Sequence, residues 1–285
     1  MPEQRSVAIT GANGYVGSTL ARAFSAAGWR VHPLQRSGPR DARYEFIPYS
    51  LADGPARTLP ANLSALVHCA YDLRARDASS IERTNVGGTA KLLAAASDVP
   101  NVVLISSMSA YAGTSQLYGR TKLACEELVT ARGGTSLRLG LVHGGAKGGM
   151  IGALQRVAKL PVVPVLKPDS HQFTVHADDM ARCVLAAAGQ LPIEHRVLGV
   201  AHPRAVPFTE IIASLHGTEP VRTVAIASKL LYRGLRVGEA VGVRTGFRAD
   251  SLLGLMHPAP DVPNVAYWAG QGITLRDFAE AVSEE

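Results

Sequence analysis

The chain has 285 residues, 47% hydrophobic and 18% charged, which allows a substantial buried core, and its three cysteines exclude a disulfide-dense scaffold. The net charge of +6 excludes a uniform basic coat, because almost all of it is local. Val221–Arg248 holds Arg222, Lys229, Arg233, Arg236, Arg244 and Arg248 against the single acid Glu239, so this segment carries +5 and the remainder +1.

In chain order, Ser6–Thr10 predicts a buried strand, and Tyr15–Ala27 a helix that stops at Gly28. Arg30–Gln35, Tyr44–Ile47 and Ala65–His68 predict three further strands. A long helix follows over Ser80–Ser97, closed before Pro100, then a strand over Asn101–Ser106. Ser115–Arg132 predicts a helix, Thr135–Leu139 a sixth strand, and Ala177–Gly189 a later helix. Near-continuous apolar strands alternating with helices specify an α/β protein with a doubly wound parallel sheet covered on both faces. Beyond Gly140, glycines and prolines loosen the pattern, and a smaller C-terminal lobe is expected. No apolar run spans a bilayer, and the N-terminal residues enter a strand too soon for a signal peptide. A cytoplasmic protein without stable membrane insertion is therefore expected. Cys69, Cys125 and Cys183 each sit in apolar stretches and read as small buried hydrophobes.

The first strand runs directly into Gly11, Gly14 and Gly17. Three glycines so spaced arise by chance in roughly a quarter of such sequences, so the flanking strand and helix carry the meaning. In that setting glycines let the backbone turn tightly and meet a pyrophosphate at the helix N-terminus. Where the second strand ends, Arg36 stands with Arg40 and Arg43 nearby, and no acid lies between Gly28 and Arg36. Guanidinium groups there suit a 2′-phosphate, which favours NADP over NAD. Tyr118 and Lys122, at i and i+4, share one helical face. An ammonium beside a phenol favours the phenolate, as acid/base work requires. Ser106 and Ser107 end the fifth strand at the edge where open α/β sheets meet ligands.

With these motifs the chain resembles the short-chain dehydrogenase/reductase superfamily, in its extended branch of NAD(P)-dependent epimerases and dehydratases. The resemblance runs from Val7 to about Ala188 through Thr10–Gly17, Leu66–Ala70, Asn85–Thr89, Ile105–Tyr111, Tyr118–Lys122, Leu137–Gly144 and Val175–Asp179. It implies a Rossmann domain over residues 1–145 with 171–200, and a substrate lobe over 146–170 with 201–285. It implies Tyr118 as general acid/base, Lys122 as the group that stabilises its phenolate and holds the nicotinamide ribose, and Ser107 as the residue that polarises the reacting carbonyl, with Ser106 as fallback. Gly11, Gly14 and Gly17 would hold the pyrophosphate, Val142 would contact the carboxamide, and Asn85 would fix the loops after the fourth and fifth predicted strands. Asn13, Tyr15, Val16, Arg36, Leu51, Cys69 and Ala70 complete the implied cofactor-binding set, together with Tyr118 and Lys122.

Several positions depart from the family pattern. Ser50–Leu51 replaces the usual Asp beside adenine, and Tyr71–Asp72 follows Ala70 where a small residue is usual. Ser107 and Tyr118 are only 11 apart, and Leu141 stands where sugar-nucleotide epimerases carry a substrate-binding Asn. These departures make a nucleotide sugar a less suitable substrate. The expected activity is hydride transfer between NADP (NAD being the alternative) and a carbonyl or alcohol of a small molecule. An epimerase or dehydratase acting on a sugar or sugar nucleotide, and a non-catalytic NADP-sensing regulator, are the other readings.

His176-Ala-Asp-Asp179 reads as acids complementing a helix dipole rather than as metal ligands. His143, His171, His202 and His257 show no ligand spacing. Lys229, Arg233 and Arg236 recur on one helical face, which reads as a solvated face, a site for an anionic substrate group, or a membrane-surface or protein contact. No nucleic-acid reading motif accompanies them. A homodimer is left open.

Overall fold

The computed structural model describes residues 4–38, 44–73, 77–145, 148–165, 170–189, 194–217, 222–240 and 249–283. Its first half comprises β1 (Ser6–Thr10), α1 (Tyr15–Ala26), β2 (Arg30–Gln35), β3 (Ile47–Ser50), β4 (Gly54–Pro55), β5 (Ala65–His68), α2 (Ala78–Ala95), β6 (Asn101–Ser107), α3 (Leu117–Ala131) and β7 (Thr135–Leu139). Then come β8 (Leu141–His143), α4 (Gly149–Ala158), β9 (Val163–Val165), β10 (His171–Gln172), β11 (Thr174–His176), α5 (Ala177–Gly189), β12 (Val197–Val200) and β13 (Val206–Pro207). The chain closes with α6 (Phe208–His216), β14 (Thr223–Ala225), α7 (Ser228–Ala240), α8 (Ala249–Met256), α9 (Ala266–Gly270) and α10 (Phe278–Ser283).

Eight strands form one sheet in the order β12-β7-β6-β5-β1-β2-β3-β4. Every neighbouring pair is parallel except β3 and β4, which form a short antiparallel edge. The strand alternation sorts the core into two layers. Val7 and Ile9, Ala65 and Val67, and Val103 and Ile105 point to the α1/α5 face, where they meet Leu20, Phe24, Met180 and Val184. Ala8, Leu66, Val102 and Leu104 point the other way, onto Leu92 of α2 and Cys125 and Val129 of α3. Helices on both faces of a parallel sheet make the fold a doubly wound, Rossmann-type α/β structure.

The order reverses at β1, beside β5, so the crevice that binds ligands in such sheets opens between the C-terminal ends of these two strands. A third apolar cluster, with Ile151, Leu154, Val163, Phe208, Ile211 and Leu255, holds the C-terminal elements beyond that edge.

Three expectations shift; the long helix spans Ala78–Ala95 rather than Ser80–Ser97, because Asp77 caps its start by accepting from the Ser80 amide at 2.8 Å. The third strand spans Ile47–Ser50 rather than Tyr44–Ile47, because the ladder with β2 starts at Leu34 opposite Ile47. Tyr44 instead reaches back to α1, its hydroxyl 3.5 Å from Ala21 O. The helix expected from Ser115 begins at Leu117, for a reason that lies in the site.

Candidate active site

The glycine turn after β1 is tight enough to exclude side chains. Gly11 has φ +66 and its amide donates to Leu34 O at 3.0 Å. A Cβ on Gly11 would lie 3.0 Å from Ala70 Cα, and one on Gly17 would lie 2.3 Å from Gly11 O. Gly14 caps α1 without a side chain, and the first turn holds no acid, so the amides of this helix end face an anion site. Beside them runs a groove of about 470 Å³, lined by Gly11, Asn13, Gly14, Arg36, Leu51, Cys69 and Ala70. Its glycine cradle and free helix end fit the pyrophosphate of a dinucleotide. Arg36 is exposed at its rim, beyond the end of β2, while Arg40 and Arg43 lie outside the described residues. Burial pushes the Cys69 thiol up to about 12, which keeps it protonated.

The other expected cofactor residues stand behind this groove. Tyr15 donates its hydroxyl to Gly144 O at 2.7 Å and lays its ring against Gly148 and Gly149. Val16 packs on the core, as does Val142, which sits in β8 opposite Val175. Asn85 is buried and grips Asp72, accepting from its amide at 2.7 Å and donating to its carbonyl at 3.2 Å. It therefore ties α2 to the loop after β5.

A buried network absent from the sequence expectations joins this loop to the glycine turn. Thr10 Oγ1 accepts from the amides of Cys69 and Ala70, both at 3.0 Å, so its own proton goes to His68 Nδ1 at 2.7 Å. His68 then donates through Nε2 to Thr89 Oγ1 at 3.0 Å, and Thr89 donates to Asn85 O at 2.7 Å. Burial, reinforced by the Lys122 ammonium, pushes His68 down to about 3, so the ring is neutral as this chain of donors requires. The sequence signal was present in Thr10, His68 and Thr89, each inside a quoted motif.

Ser106 and Ser107 separate cleanly. Ser106 is buried and donates to Glu126 Oε1 at 2.5 Å, and Glu126 is held by Arg138 Nη2 at 2.7 Å. It lines neither the groove nor the cavity beyond β6. Ser107 is half-buried and opens on a cavity of 520 Å³ beyond β6, and its oxygen accepts from the Ser109 amide at 3.1 Å. Its hydroxyl proton can therefore turn to a ligand.

Tyr118 lines the same cavity from the first turn of α3. This helix comes close to the loop after β6 only because residue 119 is glycine; a Cβ there would lie 2.2 Å from Ser109 O. Its N-cap residue, Gln116, makes no side-chain cap. Asp250 of α8 supplies it instead, accepting from the Leu117 and Tyr118 amides at 3.0 Å each. Hence α3 starts at Leu117, and a carboxylate 132 positions away holds its end.

Lys122 is buried and lines neither cavity. It donates to Ile105 O at 2.7 Å, with its Nζ 5.9 Å from the Tyr118 ring centroid and 5.0 Å from that of Tyr71. Tyr71 meets Tyr118 edge to face at 4.8 Å. The unusual residue after Ala70 thus covers the lysine, and burial pushes its own hydroxyl well above the ordinary tyrosine range. Groove and cavity share Tyr71, Asp72 and Leu73, so they meet beside Tyr118. The cavity walls are mainly apolar, with Ile81, Met108, Leu139, Leu141, Met150, Phe173 and Leu255, and the described lining includes no lysine or arginine.

The acids of His176–Asp179 are engaged elsewhere. Asp179 is fully buried and accepts from the Arg276 amide at 2.9 Å, from its guanidinium at 2.9 Å, and from Arg182 at 2.6 Å. Burial alone would push its carboxyl up, but these arginines outweigh it and hold it below the usual carboxylate range. Asp179 therefore anchors the C-terminal segment as well as sitting at a helix start. Among the described residues, no three His, Cys, Asp or Glu side chains converge on a metal position, and no helix is long and apolar enough to cross a membrane. Of the basic segment, Lys229, Arg233 and Arg236 lie exposed on α7, outside the cavity lining, and Arg244 and Arg248 lie outside the described residues.

Residues 7–198 match the sequence model of the NAD dependent epimerase/dehydratase family. The chain is similar to a ceramide reductase of Caulobacter vibrioides, 31% identical over 189 residues, covering 63% of this chain and 60% of that protein. Among solved structures it is similar to MoeE5 in complex with UDP-glucose and NAD, at TM-score 0.71 and 22% identity over 98% of this chain and 96% of that one. It is also similar to a UDP-N-acetylglucosamine 4-epimerase from Bacillus cereus, at TM-score 0.64 and 20% identity over 88% and 97% of the two chains. At these identities the structural likenesses establish the fold.

Proposed function

Because the chain belongs to the NAD dependent epimerase/dehydratase family, we propose that it is an NADP-preferring oxidoreductase acting on the carbonyl or alcohol carbon of a largely apolar small molecule. The observation that carries this reading is the convergence of Ser107 and Tyr118 on one apolar cavity, at the point where it meets the glycine-cradled groove. When bound, NADPH supplies the hydride from its nicotinamide. Ser107 donates its hydroxyl proton as a hydrogen bond to the substrate carbonyl oxygen and fixes the face presented to the groove. Tyr118 gives its phenolic proton to the oxygen as negative charge develops there, which completes the alcohol. Lys122, with its Nζ 5.9 Å from the Tyr118 ring centroid, is the cation that faces the phenolate left behind. The apolar walls exclude water, which strengthens both interactions. In the oxidative direction the same groups act in reverse.

Arg36 supports the choice of NADP: it is a solvent-facing guanidinium at the groove, with no acid from Gly28 to Arg36 to bind ribose hydroxyls. The cavity walls support an apolar substrate, and the Caulobacter relative is named for reducing ceramide, a lipid. A sugar-nucleotide substrate would bring a diphosphate into a lining whose described residues offer it no cation.

The test is NADPH oxidation with a panel of long-chain ketones, aliphatic aldehydes and UDP-sugars, for the parent and for Tyr118→Phe. Turnover of apolar carbonyls is expected, falling about 10²- to 10⁴-fold in the variant, as loss of a general acid does, with cofactor binding retained. Turnover of UDP-sugars alone, or full activity in Tyr118→Phe, would overturn the assignment.

A further inference from the structure

Five large hydrophobic side chains stand exposed among the described residues: Leu73, Leu160, Val162, Val224 and Val237. Leu73 belongs to the rim where groove and cavity meet. The other four lie on two neighbouring stretches of the C-terminal elements, and both stretches are basic. Leu160 and Val162 connect α4 to β9, and Val224 lies on β14, which pairs parallel with β9 and sets Val224 opposite Pro164. The Val163 amide donates to Arg222 O at 2.8 Å, so Val162, Val224 and Arg222 sit together on one two-stranded ribbon.

Two residues after β14 the chain enters α7. There Lys229, Arg233, Arg236 and Val237 recur at i, i+4, i+7 and i+8, which places them on one face, and all four are exposed. Val237, at 64% exposure, is the most exposed of the five hydrophobics and sits within this cationic face. Residues 149–165 and 222–240 together hold Arg156, Lys159, Arg222, Lys229, Arg233 and Arg236 against the single acid Glu239.

Cations of one sign set around exposed aliphatic side chains complement a surface that is anionic at its boundary and apolar just beneath. We propose that the β9/β14 ribbon and the outer face of α7 dock this protein on an anionic phospholipid bilayer. The position suits the cavity. Gly149 and Met150 of α4 and Gly254 and Leu255 of α8 line it, α4 runs on into the ribbon, and α7 packs against α8. Docking would therefore bring two cavity walls close to the lipid. The docking stands independently of the proposed reaction; its value for reaching a bilayer-borne substrate rests on that reaction.

The experiment is co-sedimentation of the full chain with phosphatidylcholine vesicles, with and without phosphatidylglycerol. Binding is expected only when phosphatidylglycerol is present, and about 0.5 M salt should release it by screening the cations. Each cation near such a surface strengthens binding about fivefold, so K229E/R233E/R236E should lower it at least about a hundredfold. V162S/V224S should weaken binding while leaving its salt dependence in place. Turnover of a water-soluble carbonyl should be unchanged in both variants, which separates a docking defect from misfolding and from failure of the proposed reaction. Absence of binding by the parent chain, equal binding to neutral vesicles, or unchanged binding by the triple variant would each overturn the proposal. So would a vesicle-free sedimentation coefficient that falls in the triple variant, because the face would then be covered by a second copy, or displacement from the vesicles by duplex DNA at lower concentration than by soluble phosphatidylglycerol headgroup.

Discussion

Removing the Asp250 carboxylate should unsettle the start of α3 and, with it, Tyr118. The side chain accepts from the Leu117 and Tyr118 amides at 3.0 Å each, and Gln116 at the N-cap position offers no side-chain substitute. Two charge-assisted bonds at about 1.5–3 kcal/mol each set the upper bound for their loss. Removal of an N-cap typically costs about 1 and at most about 2 kcal/mol, since water replaces part of what is lost. A stability loss of about 1–2 kcal/mol is therefore expected for Asp250→Ala. Asp250→Asn should lose about half as much, because its amide keeps one acceptor oxygen. Tyr118 is the second residue of the helix, so fraying of this turn moves the proposed acid directly. A displacement of that kind costs about a hundredfold in turnover when the reacting groups depend on alignment. The assays are urea denaturation, hydrogen exchange at the Leu117 and Tyr118 amides, and NADPH oxidation. NADPH affinity should remain within about twofold, since the groove is built from the glycine turn after β1, the end of β2, β3 with the turn after it, the loop after β5 and Thr84 of α2, with no residue of α3. Unchanged exchange at those two amides together with unchanged turnover would refute the reasoning. A loss of cofactor affinity equal to the loss of turnover would also refute it.

Arg36→Ala should weaken NADPH binding about tenfold or more, the worth of a charge-assisted bond to a phosphate, and leave NADH binding nearly unchanged; equal effects on both, read by fluorescence titration, would remove Arg36 from the 2′-phosphate. Tyr71→Ala should uncover Lys122, whose ammonium lies 5.0 Å from the ring centroid. If the ring must leave before ribose hydroxyls arrive, NADPH binding tightens about fivefold, the worth of a cation–π contact near 1 kcal/mol; weaker binding would show that the ring holds the cofactor instead. His143 and His68 are pushed down to about 4 and about 3, mainly by burial, against an ordinary value of 6.5. The unfolded chain therefore binds protons that the folded chain refuses as pH falls from about 6.5 towards 4. Stability should drop over that window by up to about 1.4 kcal/mol per pH unit for each ring. His143, whose two ring nitrogens have no hydrogen-bond partner among the described residues, lies edge-on to His176 and Phe278. His143→Phe should keep those contacts and flatten the acid slope by one proton; identical urea midpoints for parent and variant across the window would refute this.

Strands whose neighbours are fixed by the sheet itself were legible in the sequence. Ser6–Thr10, Ala65–His68 and Thr135–Leu139 have the predicted bounds because an apolar run with turn residues at each end is sufficient to define a buried parallel strand. The edge was not legible in the same way. Tyr44, Phe46 and Ile47 have strand-forming side chains, yet pairing with β2 begins only at Ile47, and the position of that partner is a tertiary fact. Nor was β12, which adds a parallel partner to β7 and whose Gly199 lies under Val262 and Pro263, with Trp268 donating to its carbonyl at 2.7 Å. Motif spacing brought Ser107, Tyr118 and Lys122 into view, because a strand end and one helical turn are short-range geometry. It could not show that Asp250 caps α3, since no local pattern links positions 132 apart.

The loop after β5 explains why the departures at Tyr71 and Asp72 matter more than their number suggests. Thr10 holds its Cys69 and Ala70 amides, Asn85 grips Asp72 through both its amide and its carbonyl, and Tyr71 lies over Lys122 and against Tyr118. The loop is thus pinned at both ends, and the residue between the pins faces both cavities. Rotation of the Tyr71 ring would uncover Lys122 and change the wall beside Tyr118 in the same movement. Tyr71 therefore lines the groove and the cavity at once, with Thr10, His68, Thr89 and Asn85 holding the loop that carries it.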